Sequence, residues 1–256
     1  MSLLQKRHAE LLYHCALSDL KQDSDRAHLG FLWWILDPVI YLAMFYLIFE
    51  VILQRGGPGY VHFLLCGLVF WRWFDSTVRL AALSIRKYKG IISQVYLPKA
   101  LLPMIAITSN MLKFSMIVAL FTCFLVFSGF PPTASWLAAP LMLVTQLVLI
   151  IGVSLLVASV IPLVPDLMQL VNYGITLMFF LSGIFFDLSV VNEPLQSVLY
   201  LNPMALTLSC WRDLLLYQGF PAWQDILYIN GFGLVLGAIG MLLLRRFDLR
   251  YPRLVN

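Results

Sequence analysis

Three ionisable residues recur at helical spacing within a long apolar segment. Arg72, Asp75 and Arg79 are three and four positions apart, so in a helix they share one face and can form an internal ion-pair ladder. Burying a charge is costly unless it is paired or faces water. The pattern indicates either a polar conduit or gate, or a static ion pair buried near the external end of the segment. Both interpretations stand at this point.

The connection over residues 84–100 mixes cations with apolar side chains. Arg86, Lys87, Lys89 and Lys99 are interspersed with isoleucine, valine, leucine and tyrosine residues that a solvated loop would not need. These apolar residues favour a short segment that docks on another protein. Positive charge that orients a chain in a membrane explains the cations about as well.

Aromatic side chains are concentrated in two neighbouring segments. They are Trp34, Tyr41, Phe45 and Tyr46 in the first segment, and Phe70, Trp71, Trp73 and Phe74 in the second. Sugar rings present C–H faces that pack on aromatic planes, so a channel lined by these residues would suit a polysaccharide. The alternative is the ordinary belt of aromatic residues at membrane interfaces.

Sequence motifs for several chemistries are absent. The chain has no GxxxxGK[ST] phosphate loop, no GxSxG nucleophile elbow and no HExxH zinc motif. Its four cysteines lie far apart, which argues against a disulfide framework or a zinc site. We therefore expect no catalytic residue, no metal site and no cofactor in this chain, so a motor that hydrolyses ATP would be a separate subunit.

The composition defines the elements that carry these residues. Of the 256 residues, 61% are hydrophobic and 12% are charged, whereas about a quarter of the residues of a soluble domain are charged. This balance excludes a soluble globular protein. The stretch from Phe114 to Pro165 carries no charge, and it is long enough for two helices of about 20 residues each to cross a bilayer. The sequence predicts an all-α polytopic membrane protein.

Six membrane spans are expected in a single domain that covers residues 1–256. The spans are residues 32–53, 62–83, 101–127, 136–161, 167–186 and 226–244. Ahead of them, apolar residues at near-helical spacing predict an amphipathic helix within residues 1–31 that lies along the membrane surface. A passive anchor and a segment that signals to a partner both fit this pattern.

The distribution of charge predicts the orientation. With six spans, nearly all Lys and Arg residues of the connections fall on the side of the two termini, whereas Arg55 and Arg212 fall on the other side. Positive charge is retained in the cytoplasm, so both termini are expected there. The uncharged stretch from Pro194 to Trp211 is broken at Asn202-Pro203, as between two half-helices. We therefore predict that region 187–225 forms a re-entrant external hairpin beside a translocation path.

Several short motifs recur in a characteristic order along the chain. They are Asp19-Leu-Lys21, the run from Leu29 to Trp34, Asp37-Pro38, the segment from Lys89 to Pro103, Leu201-Asn-Pro-Met204 and Trp211-Arg212. Their order resembles a known family, the polysaccharide-exporting permeases of ABC type-2 transporters, which serve O-antigen, capsule and teichoic acid export. The resemblance covers nearly the whole chain. No single motif is highly specific, but their order and spacing together are.

The resemblance implies a homodimer in a bacterial inner membrane, with a channel along the dimer axis and two copies of a separate cytoplasmic ATPase that binds ATP and Mg²⁺. The cargo would be a polysaccharide on a polyprenyl diphosphate carrier, and nucleic acid would have no role. The amphipathic N-terminus is similar to the interface helix of the family, and the hairpin to its external gate.

Two sets of site residues follow from the resemblance. The residues that would couple to the ATPase are Arg86, Lys87, Tyr88, Lys89, Val95, Tyr96, Leu97, Pro98 and Lys99. The external gate residues would be Asn202, Pro203, Trp211 and Arg212. Two other functions stay open: an ABC exporter of lipids or drugs, and a multispanning membrane enzyme that acts on lipid-linked sugars.

Overall fold

The computed structural model describes residues 14–19, 21, 32–33, 36, 39–40, 43–44, 47–52, 59–92, 97–248 and 250–251. Eight α-helices are delimited there: α1 (Tyr60–Lys87), α2 (Lys89–Ile92), α3 (Leu101–Phe127), α4 (Ala139–Val160), α5 (Leu167–Leu181), α6 (Glu193–Leu199), α7 (Pro203–Leu215) and α8 (Trp223–Arg246). Residues 14–19 are helical, Leu47–Ile52 form a π-helix, and Ala134–Ala138 and Leu188–Val190 form 3₁₀ turns. The described part of the chain contains no strand.

Within the described residues, three helical segments are long and apolar enough to cross a membrane, judged by length and composition. They are Leu101–Phe127, Ala134–Val160 and Trp223–Arg246, and α5 is a shorter apolar helix. The prediction of an all-helical protein with membrane-crossing segments is confirmed at this level. The count of six spans stays a prediction, and nine of the 22 residues of the first predicted span, 32–53, lie outside the described residues.

Two helices have other bounds than the predicted spans they carry, and the spans themselves stay predictions. Helix α1 contains the predicted span 62–83 and is longer, because it begins after Gly59, whose φ is 91°, and continues to Lys87. Helix α5 is shorter than the predicted span 167–186, because it ends at Leu181 and Gly183 adopts a φ of 67°. A positive φ is readily adopted by glycine, so a Ser-Gly pair ends this helix early. With 15 residues, α5 is about 22 Å long.

Helices α4 and α8 are packed with almost no space between their backbones. A Cβ atom added at Gly152 of α4 would lie 2.0 Å from the carbonyl oxygen of Gly233 in α8. A Cβ atom added at Gly240 would lie 2.5 Å from the backbone nitrogen of Leu156. Apolar helices gain little from hydrophobic burial inside lipid, so close contact between small residues is the main way in which they associate.

Helix α1 lies at the centre of the fold, in contact with α3, α4 and α7. Its aromatic side chains fill the core: Phe70 stacks on Trp211 of α7 with a centroid distance of 3.8 Å and an interplanar angle of 8°, and Trp73 stacks on Phe114 of α3 at 4.1 Å and 5°. The opposite edge of α1 carries its charged residues. This division of one helix into an aromatic face and a polar edge sets the geometry of the candidate site.

Candidate translocation and coupling sites

The polar edge of α1, formed by Arg72, Asp75 and Arg79, lies near the middle of the helix. Arg72 Nη1 is 3.4 Å from Asp75 Oδ2, and Arg79 Nε donates to Asp75 Oδ1. Arg79 Nη1 also donates to the side-chain oxygen of Asn172 in α5. The side chain of Asp75 is 11% exposed, whereas those of the two arginines are 38% and 34% exposed. The structure thus forms both ion pairs that the spacing allows, and joins them to α5.

The position of this edge along α1 bears on both interpretations of the ladder. Asp75 lies about 22 Å from the start of α1 and about 18 Å from its end, at about 1.5 Å per residue. The ion pairs therefore lie near the middle of α1, and the polar conduit and the static ion pair both stay predictions. Charges in the middle of a membrane-crossing helix are costly, and they usually face the protein interior or a water-filled space.

Two cavities flank the polar edge. The first, of about 240 Å³, lies between α1 and α5 and is lined by Trp71, Ile175, Thr176, Phe179 and the charged edge, among others. The second, of about 320 Å³, lies between α1 and α3, where Lys113, Asn110 and Trp73 join the same charged edge. Arg72, Asp75 and Arg79 line both cavities. The polar edge is therefore open to empty space on two sides.

The aromatic residues of α1 lie inside the single chain. Phe70, Trp71, Trp73 and Phe74 are each at most 4% exposed. In this conformation they form the core, and Trp71 and Trp73 also border the cavities. That they line a substrate channel stays a prediction. The other four aromatic residues proposed for the channel lie outside the described residues: Trp34, Tyr41, Phe45 and Tyr46.

The predicted external hairpin contains two short helices, α6 and α7, that meet at Asn202. The Asn202 side-chain oxygen accepts a hydrogen bond from the Met204 backbone N–H at 3.0 Å, which is an N-cap, and its amide donates to the Ser182 hydroxyl at 2.8 Å. Pro203 follows as the first residue of α7, where its missing N–H costs nothing. The break between half-helices is therefore present where it was expected. Re-entry into the membrane from outside stays a prediction.

Arg212 connects this hairpin to the rest of the bundle. It is 4% exposed, and its guanidinium donates to three backbone carbonyls: Phe63 in α1 at 3.3 Å, Gly183 at 2.7 Å and Ile184 at 3.1 Å, the last two just beyond α5. The guanidinium also lies 3.5 Å from the centre of the Phe63 ring. A cation at the carboxyl end of a helix is favourable because the carbonyls there are partly negative.

Trp211 and Gln146 form a second connection that the sequence analysis did not predict. The Trp211 indole N–H donates to the Gln146 side-chain oxygen at 2.7 Å, and the Gln146 amide donates to the Phe70 carbonyl at 2.8 Å. This buried network joins α7, α4 and α1. A glutamine in an uncharged apolar span is the signal that was available in the sequence, because a buried amide needs partners.

Three chain segments meet at the carboxyl end of α1, which we call the basic end. They are residues 14–19, residues 86–92 with 97–100, and residues 245–248 with 250–251. Asp19 is buried there, and its carboxylate accepts from Lys87 Nζ and from the Tyr88 hydroxyl, each at 2.7 Å. The amphipathic N-terminal segment is therefore tied to the start of the predicted coupling segment. Asp19 was noticed as part of a motif, but its partners were not predicted.

The coupling residues predicted from the family resemblance divide into exposed and buried groups. Arg86, Lys87 and Lys89 are exposed, and Tyr88, Leu97 and Pro98 are partly exposed. Val95 and Tyr96 lie outside the described residues.

Lys99 differs from the predicted role of a surface contact. It is 3% exposed, its ammonium donates to the Leu97 carbonyl at 2.9 Å, and its backbone N–H donates to Asp248. The ammonium is thus held against its own loop rather than presented to a partner.

The C-terminal residues complete the basic end. Tyr251 is fully buried, and its hydroxyl donates to the Ser159 carbonyl in α4 at 2.9 Å. Burial, with a contribution from the Asp248 carboxylate, raises the pKa of the Tyr251 phenol to about 12, so it stays a neutral donor at physiological pH. The arginines of this end remain exposed around the packed centre: Arg86, Arg245, Arg246 and Arg250.

Comparison with known proteins identifies the family of this chain. Residues 10–216 match the family described as ABC-2 type transporter. Two proteins from Klebsiella pneumoniae named O-antigen export system permease protein RfbA are 26% and 27% identical to this chain, over 96% of it and 95% of each relative. A protein of the same name from Myxococcus xanthus is 25% identical over 88% of both chains. The family match covers most of the chain, and this protein therefore belongs to the ABC-2 type transporter family.

Proposed function

We propose that this chain is the membrane subunit of an ABC transporter that exports O-antigen, or a similar lipid-linked polysaccharide, across the bacterial inner membrane. The observation that carries the proposal is similarity from end to end with permeases named for O-antigen export. Apolar helices long enough to cross a membrane support a multipass location. The carrier would be a polyprenyl diphosphate lipid.

The proposed assembly is a homodimer that binds two copies of a cytoplasmic ATPase, which supplies the ATP and Mg²⁺ sites. The chain has no phosphate loop of its own. An ABC transporter needs such a loop to bind ATP, so a partner subunit would supply it. The basic end is the proposed docking surface, since it exposes cations beside the short helix α2. Both termini would then lie in the cytoplasm, and α6 with α7 would form the external gate.

The direct test is affinity purification of the tagged chain from native membranes, with mass spectrometry and an ATPase assay of the eluate. We expect a phosphate-loop ATPase in roughly equal amount, and cells without this chain should accumulate glycan inside. Reproducible absence of any ATPase would favour the membrane enzyme. An ATPase partner without glycan accumulation would favour an exporter of lipids or drugs.

The contacts of Asp19 predict a role in coupling. Because its carboxylate holds Lys87 and Tyr88, movement of the coupling segment would be transmitted to the N-terminal helix. We expect Asp19→Asn to lower ATP-driven export about fivefold, which corresponds to about 1 kcal/mol for a partly exposed ion pair. The ATPase should still bind and hydrolyse ATP. The measurement is export of glycan at equal levels of membrane protein.

A charge swap provides the control for this prediction. Asp19→Lys combined with Lys87→Asp restores one ion pair with reversed polarity, so the double variant should export better than either single variant. Tyr88→Phe, which removes only the hydroxyl, should have the smaller effect. If the double variant is no better than the worse single variant, the proposed link between the two segments is wrong.

A further inference from the structure

The second cavity, between α1 and α3, is rich in hydrogen-bond donors. Its described lining includes the cations Arg72, Arg79 and Lys113, and one carboxylate, Asp75. Its volume of about 320 Å³ is within the range of sites that bind small ligands. A lining with this balance of charge favours a negatively charged occupant.

The neutral groups of the lining are bonded to one another. The Asn110 amide donates to the hydroxyls of Ser76 and Thr77. Those hydroxyls in turn donate to the backbone carbonyls of Arg72 and Trp73. The donors of this network are therefore used within the protein, and the charged side chains determine which occupant the cavity favours.

One donor in particular has no acceptor. Trp73 lines the second cavity and is 3% exposed, and its indole N–H makes no hydrogen bond within the described part of the chain. A buried indole N–H normally has a partner, and leaving it without one is unfavourable. An oxygen-rich ligand that reached this nitrogen would supply the acceptor.

We infer that the polar edge of α1, together with Lys113 and Trp73, is a binding site for a phosphate-ester anion. The ligand would be the charged group of the transported lipid-linked glycan, and in this respect the inference rests on the proposed function. Arginine and lysine bind phosphate through charge-assisted hydrogen bonds. Asp75 holds both arginines in place and competes with the anion, which keeps binding weak enough for release, as transport requires.

The test uses the chain with its ATPase in nanodiscs of phosphatidylcholine. The probe is farnesyl diphosphate, and binding is followed by the change in tryptophan fluorescence and by calorimetry. Farnesol and sodium diphosphate are titrated separately, so that the contribution of the lipid tail to binding is distinguished from that of the anion. We expect farnesyl diphosphate to bind at least tenfold more tightly than farnesol. If sodium diphosphate binds as tightly as farnesyl diphosphate, the site is one for a free anion. If sodium diphosphate binds more weakly, the site is one for the lipid-linked anion.

Variants of the lining provide the second half of the test. Lys113→Gln and Arg72→Gln are each expected to weaken farnesyl diphosphate binding about tenfold, and Trp73→Phe about threefold, because it keeps the ring and removes the N–H. Lys113→Arg should bind normally, and Arg250→Gln at the basic end serves as a distant control. If farnesol binds as tightly as farnesyl diphosphate, or if the glutamine variants bind as the unaltered chain does, the inference is wrong.

The failure of this inference is distinguishable from failure of the proposed function. Lys113 lies far along α3 from the basic end, so Lys113→Gln should still purify with the ATPase. Normal export and normal probe binding by this variant, with the ATPase present, would overturn only the anion site. Absence of an ATPase from the unaltered chain would overturn the proposed function whatever the cavity binds.

Discussion

Arg212→Met is expected to destabilise the folded protein by about 3–5 kcal/mol and to abolish export. The variant keeps an unbranched side chain but removes every donor that holds the Phe63, Gly183 and Ile184 carbonyls. Those carbonyls would then be buried without their strongest partner, and loss of one side of a buried charged contact is among the costliest single changes. The measurement is the midpoint of thermal unfolding of the purified chain in mild detergent, followed by size-exclusion chromatography.

Two variants separate the role of this guanidinium from the effect of charge alone. Arg212→Lys keeps the positive charge, but a single ammonium does not reproduce the planar arrangement that reaches three carbonyls, so intermediate stability is expected. Arg250→Met removes an exposed arginine and should leave the unfolding midpoint unchanged. An Arg212→Met protein that unfolds at the midpoint of the unaltered chain would show that the hairpin is held in another way.

Gly67→Ala should act on the same contact from the α1 side, since a Cβ atom there would lie 2.6 Å from Arg212 Nη2. The atom that must move is the far end of a flexible side chain, so the expected loss is smaller than that of Arg212→Met. The unfolding midpoint should therefore fall less for Gly67→Ala than for Arg212→Met.

Gly152→Ala and Gly233→Ala are expected to be the most damaging conservative changes in the membrane helices, at about 3 kcal/mol each. A Cβ atom at either position would meet backbone atoms of the opposite helix at 2.9 Å or less, and backbone atoms do not move aside. Helices α4 and α8 would have to separate along their length. The measurement is the fraction of protein that elutes as a folded species in mild detergent.

Gly231 offers a matched control within α8. A Cβ atom at Gly231 would have nothing within 4 Å, although the residue is only two positions from Gly233. Gly231→Ala should therefore be neutral or slightly stabilising, because alanine is favoured over glycine inside a helix by about 1 kcal/mol. Equal loss of folded protein for Gly231→Ala and Gly233→Ala would contradict the predicted close packing of α4 against α8.

Local patterns predicted much of the helical framework. The bounds of α3, Leu101–Phe127, coincide with those of the predicted span 101–127, because the segment is apolar apart from a few polar residues and one charge, Lys113. The helix break at Asn202-Pro203 was also predicted, since a proline inside an uncharged apolar segment interrupts a helix. The predicted span 167–186 extends five residues beyond the end of α5. The sequence stays apolar through Gly183, whereas the helical backbone conformation ends at Leu181.

The candidate site was predicted less completely. The ion pairs of Asp75 follow from spacing along one helix, so they were available from the sequence. The contacts of Asn172 with Arg79 and of Gln146 with Trp211 join residues far apart in the chain, and no local pattern encodes them. The family resemblance placed Lys99 among the residues that would couple to the ATPase, but Lys99 is 3% exposed. Its burial depends on Leu97 and Asp248, which contact it only in the folded protein.

The sequence by itself determined the helical class, the apolar segments and the shared face of the polar edge, because hydropathy and helical period are properties of consecutive residues. The tertiary structure decided that Arg212 binds carbonyls of α1 and of the turn after α5, that glycines bring α4 and α8 into backbone contact, and that the polar edge borders two cavities. These features depend on which helices become neighbours and how closely they approach, and that is set by packing between segments distant in the chain.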